Sequence, residues 1–268
     1  GVLNLLLGGA ALLLARGGVR EEEASPEEET EAPKPTIEPA DGRTRRLALA
    51  LIAVTAFASL LYEIAWTRVL VLVVGSSTYA FTTILAAFLA GIGLGSLFAV
   101  GRGRPARELL VGAAFVQAGI AVTAALLFPF FRGLPVYIVA TMQVGFLSAV
   151  DLLSLHALAV IVVVLPAAFG MGLSFPILAE LAAGREGGTG SEAGRAYFAN
   201  TIGSIVGSVL TGFVLIHLLG SERTLMVGVL VNAIAAAVIV WWLFVRGRAE
   251  DRVSREDYVP AAVERIPV

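Results

Sequence analysis

The stretch that decides the fold of this chain is LALALIAVTAFASLLYEIAWTR, residues 47–68. From Leu47 it runs for sixteen residues without a charge before it reaches Glu63. A helix rises about 1.5 Å per residue, so this run covers about 24 Å of the roughly 30 Å hydrocarbon core of a bilayer. Similar runs follow, and between Leu47 and Val245 only 15 of 199 side chains are charged. The pattern predicts an all-α, polytopic bundle of membrane-spanning helices.

Composition excludes several other classes of protein. The 268 residues are 57% apolar, with a mean hydropathy of +0.86 and a net charge of −2. No basic patch is interleaved with aromatic residues, so we expect no nucleic-acid partner. Cysteine is absent and the two histidines, His156 and His217, are far apart, so we expect no metal site. No phosphate-binding loop or dinucleotide-binding turn is present, and we therefore assign no cofactor and no catalytic residue.

Span lengths divide the chain into four parts. We predict a truncated transmembrane helix at 1–16, an acidic Pro/Glu-rich linker at 17–46, a six-helix transmembrane bundle at 47–245 and a tail at 246–268. The six spans are Leu47–Val74, Thr78–Val100, Leu109–Phe131, Leu152–Leu181, Ala196–Leu219 and Thr224–Val245. The Pro- and Gly-containing stretch Leu134–Ala149 is interpreted as a re-entrant or interfacial segment, with a further span as the alternative.

Basic residues predict the orientation. If the linker is cytoplasmic, 16 of the 19 Lys and Arg residues lie on the inner side, and only Arg68, Arg132 and Arg223 lie outside. This asymmetry follows the positive-inside rule. We therefore expect a multi-pass protein of the cell inner (cytoplasmic) membrane, with the linker and the C-terminus in the cytoplasm.

A weak internal repeat suggests a larger assembly. The opening Gly1–Arg16 resembles the last span from Gly228 onward, and both are followed by arginines. We interpret the opening as the last helix of a preceding homologous half. The expected partners are therefore the lipid bilayer and a second helical half or other membrane subunits.

The first span carries the most unusual polar residues. Glu63 lies in its outer third, flanked by Tyr62 and followed by Trp66 and Arg68. A carboxylate in an apolar span is costly, so by default it marks a functional site, here a polar site facing a cavity. The alternative is an interfacial anchor, with the aromatic residues in the membrane belt and Arg68 extended toward the headgroups.

Later spans contain motifs of small residues and prolines. Close helix packing is the favoured role of the four-residue glycine spacings Gly91/Gly95 and Gly203/Gly207. The group Pro166, Gly170, Gly172 and Pro176 predicts a helix break or gate, or alternatively a kink that serves packing. Asn200 lies near the start of a later span, where it could bind a polar group or join helices by a hydrogen bond.

Five stretches together resemble a known family. Residues 60–68, 75–81, 85–96, 165–176 and 194–207 are similar to the membrane region of the spermidine-synthase-like (polyamine aminopropyltransferase-like) membrane proteins. These proteins fuse a bundle resembling the major facilitator superfamily to an aminopropyltransferase-like domain. The resemblance implies a six-span major-facilitator-like half, plus the N-terminal helix.

The resemblance also implies a function. It suggests a transporter-like bundle that handles a polyamine or another small solute, with Glu63 supplying negative charge. Tyr62, Arg68, Tyr79 and Asn200 would complete the substrate-binding residues. The alternative is a non-catalytic membrane anchor or assembly subunit for an aminopropyltransferase-like domain or for partner proteins. The family's soluble catalytic domain has no counterpart in residues 246–268, so whether the protein is an enzyme stays open and any such domain would lie elsewhere.

Overall fold

The computed structural model describes residues 40–74, 78–99, 104–143, 149–183 and 190–257. This part of the chain is nearly all helical (97%) and contains no strand. Its helices are α1 (Gly42–Val74), α2 (Thr78–Phe98), α3 (Ala106–Met142), α4 (Ala149–Ala183), α5 (Gly190–Val209) and α6 (Ile216–Asp257), with a π-helix at Leu210–Leu215 between the last two. The predicted N-terminal helix, the linker up to residue 39 and residues 258–268 lie outside the described residues.

Within the described residues, five stretches of helix are long and apolar enough to cross a membrane, which confirms the all-α class and supports the membrane character. The last of them, Gly190–Arg246, covers 57 residues. At about 1.5 Å per residue it would be about 85 Å long, far more than one crossing needs. It is interrupted at Gly220, whose backbone angles of φ 78° and ψ 167° are accessible essentially only to glycine. The predicted boundary between the last two spans lies at this residue.

Most helix bounds differ from the predicted ones, and the start of α1 and the end of α3 are two examples. α1 begins at Gly42, five residues before Leu47, because the Asp41 carboxylate accepts a hydrogen bond from the Thr44 N–H (3.0 Å) and so caps the helix. α3 continues to Met142, so residues 134–142 do not form a separate segment. The ring of Tyr137 lies 5.6 Å from that of His156, and this contact holds the end of α3 against α4.

The first and fourth helices lie at the centre of the packing. They run antiparallel, since Arg45 at the start of α1 donates a hydrogen bond from Nε to the carbonyl of Ala182 at the end of α4 (3.0 Å). α5 and α6 pack on α1, α2 and α3 pack on α4, and α3 also contacts α6. We call the end of this bundle at which α1 begins the proximal end and the opposite one the distal end. Buried apolar side chains form one cluster toward each end.

The packing of helices α1–α3 (the first triplet) recurs in helices α4–α6 (the second triplet). α2 lies beside α4 and parallel to it, and α5 lies in the same way beside α1. The close backbone approaches are Gly91 on Leu165, Gly95 on Phe169, Gly203 on Ala53 and Gly207 on Phe57. Counterparts in the two triplets, such as Gly91 and Gly203 or Ala53 and Leu165, lie 112 positions apart. Because α1 and α4 are antiparallel, the two triplets run in opposite directions.

Candidate functional site

Tyr62 lies in the interior of the bundle. Its side chain is fully buried, and its hydroxyl accepts a hydrogen bond from Nδ2 of Asn232 on α6 (3.4 Å). The absence of a side chain at Gly228 makes room for the ring, since a Cβ there would lie 2.8 Å from Cζ of Tyr62. Trp66 stacks on Tyr62 with ring centroids 4.9 Å apart, and it is 99% buried. Tyr62 therefore serves helix packing at the α1–α6 contact, whereas Trp66 contacts Phe88 of α2, with ring centroids 6.4 Å apart.

Glu63 has a different environment although it is the next residue. It is half-buried, and no side chain of the described chain forms an ion pair with it. Arg68 is exposed and lies five residues further on, about 140° around the helix, so it points away from the carboxylate. Thr67 donates a hydrogen bond to the backbone carbonyl of Glu63 (2.7 Å), not to its side chain. The carboxylate is thus an uncompensated acid in the distal half of α1.

The other two predicted binding residues do not join Glu63 at one site. Asn200 is half-buried on α5, three residues before Gly203, which packs on Ala53. Since α5 and α1 are parallel, Asn200 lies about 13 residues below the level of Glu63, a separation of about 20 Å along the helix axis. Tyr79 lies in the first turn of α2, at the distal end, and its side chain is outside the described part of the chain.

The prolines of α4 do not interrupt it, and helix α4 is continuous from Ala149 to Ala183. Pro176 has no N–H, so the carbonyl of Gly172 loses its usual helical partner. The hydroxyl of Ser96 on α2 donates a hydrogen bond to this carbonyl (3.1 Å). Gly172 itself packs directly on the backbone of Ile92. The freed carbonyl is therefore occupied by a neighbouring helix.

The other members of the Pro/Gly group have different surroundings. Gly170 packs on the side chain of Ile120 of α3, with 2.7 Å between a Cβ placed on the glycine and Cγ1 of Ile120. Pro166 is exposed at the surface of α4. The group thus contributes close contacts to both α2 and α3.

Several polar residues that join helices were missed by sequence reasoning. Gln117 on α3 donates a hydrogen bond from Nε2 to the hydroxyl of Ser174 on α4 (2.8 Å), and both residues are buried. Asn232 and Ser96 make the contacts described above. Each is an isolated polar side chain in an apolar span, which is the pattern that should have identified them.

Ion pairs connect the helix ends. At the proximal end Arg45 pairs with Glu192, Arg246 with Asp41, and Arg104 with Glu180 (3.2 Å). At the distal end Arg132 pairs with Glu222 (2.9 Å). Proximal ion pairs therefore join the start of α1 to α5 and α6 and the residue before α3 to α4, whereas the distal pair joins α3 to α6.

The Asp41 carboxyl at the start of α1 has a shifted pKa. Partial burial opposes its ionisation, but hydrogen bonds from the side chain and backbone of Thr44 and the charge of Arg246 outweigh that effect. The pKa of Asp41 is consequently lower than its usual value. The carboxylate thus stays charged as a helix cap at neutral pH.

Metal binding has no support in the part of the chain that is described, where no group of three His, Asp or Glu residues is placed to hold an ion. Comparison of the chain with protein-family models, curated proteins and solved structures found no match.

Proposed function

We propose that this chain is a transporter-like helical half that crosses the membrane six times, with Glu63 at its solute-binding site. The observation that carries the proposal is the recurrence of the same glycine contacts at 112-residue intervals in two triplets of opposite direction. Inverted three-helix repeats are the building plan of many secondary transporters, including each half of the major facilitators. The break at Gly220 supports six crossings rather than five, because contacts place α5 parallel and α6 antiparallel to α1.

The environment of Glu63 supports its role in this proposal. A carboxylate without an ion-pair partner is expensive in lipid and is retained where water or a cationic group reaches it. The resemblance to spermidine-synthase-like membrane proteins makes a polyamine the first solute to test. Tyr62 acts indirectly, since its bond to Asn232 fixes the helix turn that carries Glu63. The proximal end, rich in arginine, faces the cytoplasm in this proposal.

Uptake by proteoliposomes tests the proposal. We expect the purified chain to accumulate radiolabelled spermidine, and Glu63→Gln to reduce that uptake about tenfold, the change produced by about 1.4 kcal/mol of lost binding. The matched control is Glu108→Gln, which neutralises an exposed acid in the first turn of α3. Equal uptake by both variants, or none by the unmodified chain, would contradict the polyamine-transport proposal.

A membrane anchor is the second candidate, and the hydrogen bonds that join helices in the interior favour it. The Tyr62–Asn232 and Gln117–Ser174 pairs and the bond from Ser96 occupy polar groups that a solute pathway would otherwise use. A bundle closed in this way can position a partner without moving. This candidate predicts no solute flux.

Cysteine labelling separates the two candidates, because the chain has no cysteine of its own. The transporter proposal predicts that Glu63→Cys reacts with a membrane-impermeant maleimide, since water must reach this position. Buried Ala65→Cys, two residues further on, is the control that should stay unlabelled. Protection of both positions would favour the anchor.

A further inference from the structure

A second polar site lies at the proximal end, away from Glu63. A cavity of about 280 Å³ opens between the starts of α1 and α5 and the end of α4. Its lining includes Gly42, Arg45, Arg46, Ala182, Glu192 and Arg195. Three guanidinium groups and one carboxylate therefore surround one small space, which gives its lining a formal charge of +2.

The partners of these charges leave two cations free for a ligand. Glu192 pairs with Arg45, whose Nε also donates to the carbonyl of Ala182. Arg46 bonds only a backbone carbonyl, that of Gly42 (3.3 Å), and Arg195 has no acidic partner among the described residues. Among the described residues that line the cavity, there is no second acid to balance them.

Asp41 adds an acid near this cavity but does not neutralise it. Its carboxylate is held by Thr44 and by Arg246, a residue of α6 that does not line the cavity. Two helices also begin at the cavity, α1 at Gly42 and α5 at Gly190. Apart from the Thr44 N–H, which Asp41 caps, the N–H groups that begin these helices add partial positive charge on the same side.

We propose that this cavity binds a phosphate group. Guanidinium groups match phosphate oxygens in pairs, and basic pockets between transmembrane helices on the cytoplasmic side of a membrane take phospholipid headgroups. The volume equals roughly nine water molecules at about 30 Å³ each, which is enough for a phosphodiester and part of a glycerol. A phospholipid headgroup and free phosphate share this chemistry. The site does not depend on the proposed transport of a solute.

Lipid binding to the detergent-solubilised chain, measured by native mass spectrometry, tests the site. We expect phosphatidylglycerol to bind, and the double variant Arg46→Gln/Arg195→Gln to weaken its binding about 10- to 30-fold, since each arginine near a membrane surface contributes about 1 kcal/mol. The matched control is Arg223→Gln, which neutralises an exposed arginine at the distal end and should leave binding unchanged. Helicity and melting temperature show whether each variant is folded.

A calorimetric titration with inorganic phosphate distinguishes the two sources. Saturable phosphate binding that the double variant loses identifies a soluble ligand, whereas phosphatidylglycerol binding that excess phosphate does not displace identifies a lipid. Either result supports the site. If the folded double variant binds both probes like the unmodified chain, or if neither probe binds, the proposal is wrong.

Discussion

The two triplets share their packing but not their chemistry. Glycines of α2 and α5 approach their partner helices at corresponding positions in the two triplets. The central helices differ, however, since Glu63 of α1 corresponds to Phe175 of α4, and Ile64 corresponds to Pro176. The positions that the two triplets share include those at which glycine brings two backbones into contact. The positions that differ include Glu63, which carries a charge, and Pro176, which removes a helical hydrogen bond. A symmetric scaffold therefore holds an asymmetric set of functional groups.

A single serine pair illustrates this difference. Ser96 and Ser208 each follow the second glycine of their helix. Ser96 donates to the carbonyl of Gly172 in the neighbouring helix, whereas Ser208 donates to the carbonyl of Ile205 in its own helix (3.0 Å). The cause is Pro176, because only the proline leaves a carbonyl for the serine to bind.

The largest expected effect comes from filling a shared contact. A Cβ at Gly203 would overlap the carbonyl oxygen of Ala53, and one at Gly95 would overlap that of Phe169. Because backbone must move in either case, we expect Gly203→Ala and Gly95→Ala each to lower the free energy of unfolding by about 3 kcal/mol. Denaturant titration in mixed micelles measures this. Unequal losses would show that the two contacts are not equivalent.

The matched controls lie in the same two helices. Gly93 of α2 and Gly194 of α5 have no atom within 4 Å of an added Cβ. Alanine at these positions should stabilise the helix by up to about 1 kcal/mol, the difference in helix propensity between the two residues. A loss at the controls as large as at Gly203 would show that the measured effect is not a packing effect.

Substitution at the turn between the last two helices should have the next largest effect. Gly220 has open space around it, so its replacement meets no clash and only its backbone angles matter. We expect Gly220→Ala to cost about 2 kcal/mol because this region of backbone conformation excludes side chains. Gly212→Ala, also in open space but helical, should not lower the free energy of unfolding. Equal costs would contradict the conformational explanation.

The serine comparison predicts a smaller effect. Ser96→Ala should cost about 1 kcal/mol, because the carbonyl of Gly172 loses its remaining partner, whereas Ser208→Ala should cost less. A double-mutant cycle with Pro176→Ala sharpens the test, since alanine restores the N–H that bonds this carbonyl. We expect Ser96→Ala to be nearly neutral in that background. An unchanged cost there would show that the hydroxyl acts in some other way.

The smallest expected effect is the pH dependence of the α1 cap. The pKa of Asp41 is lower in the folded chain than in the unfolded one, where it is about 3.9. Its contribution to stability is therefore fully present above that value and is lost as the pH falls through the folded pKa. Melting temperatures between about pH 5 and pH 2, a range that extends below the unfolded pKa, should fall less steeply for Asp41→Asn. Arg246→Gln should raise the pH at which this stability is lost. If that pH does not change, the ion pair with Arg246 is not a cause of the lowered pKa of Asp41.

Much of the fold could be predicted from the lengths of the apolar runs and from the glycines between them. The break near Gly220 and, to within three residues, the starts of α2, α3 and α4 follow from these patterns, because a bilayer requires long uncharged helices. The 112-residue recurrence was not predicted, since the triplets share little sequence beyond the pattern Gly-x-x-x-Gly-Ser. Periodicity shows which face of a helix is buried, but it does not identify the neighbour that covers the face.

The candidate site was harder to predict for the same reason. Tyr62 and Glu63 are adjacent in sequence, yet one bonds Asn232 from α6 and the other has no ion-pair partner in the described chain. The two roles suggested for the prolines of α4 could not be separated without knowing that Ser96 lies beside Gly172. Such contacts join residues 76 or 170 positions apart.

Helix α2 of the first triplet packs on a helix of the second, and α5 of the second packs on a helix of the first. The order of synthesis therefore limits the order in which the helices can pack. α2 packs on α4, so the face of Gly95 has no partner until residue 172 has been synthesised, about 4 to 15 seconds later at 5–20 residues per second. The corresponding contact on α1 forms later, since Gly203 follows Ala53 by 150 residues, or about 8 to 30 seconds of synthesis. Among the described helices, the one that carries Glu63 is thus the first to be synthesised and among the last to be enclosed. During biogenesis the carboxylate of Glu63 must therefore be kept out of the lipid, either by the insertion machinery or by a position in the headgroup region.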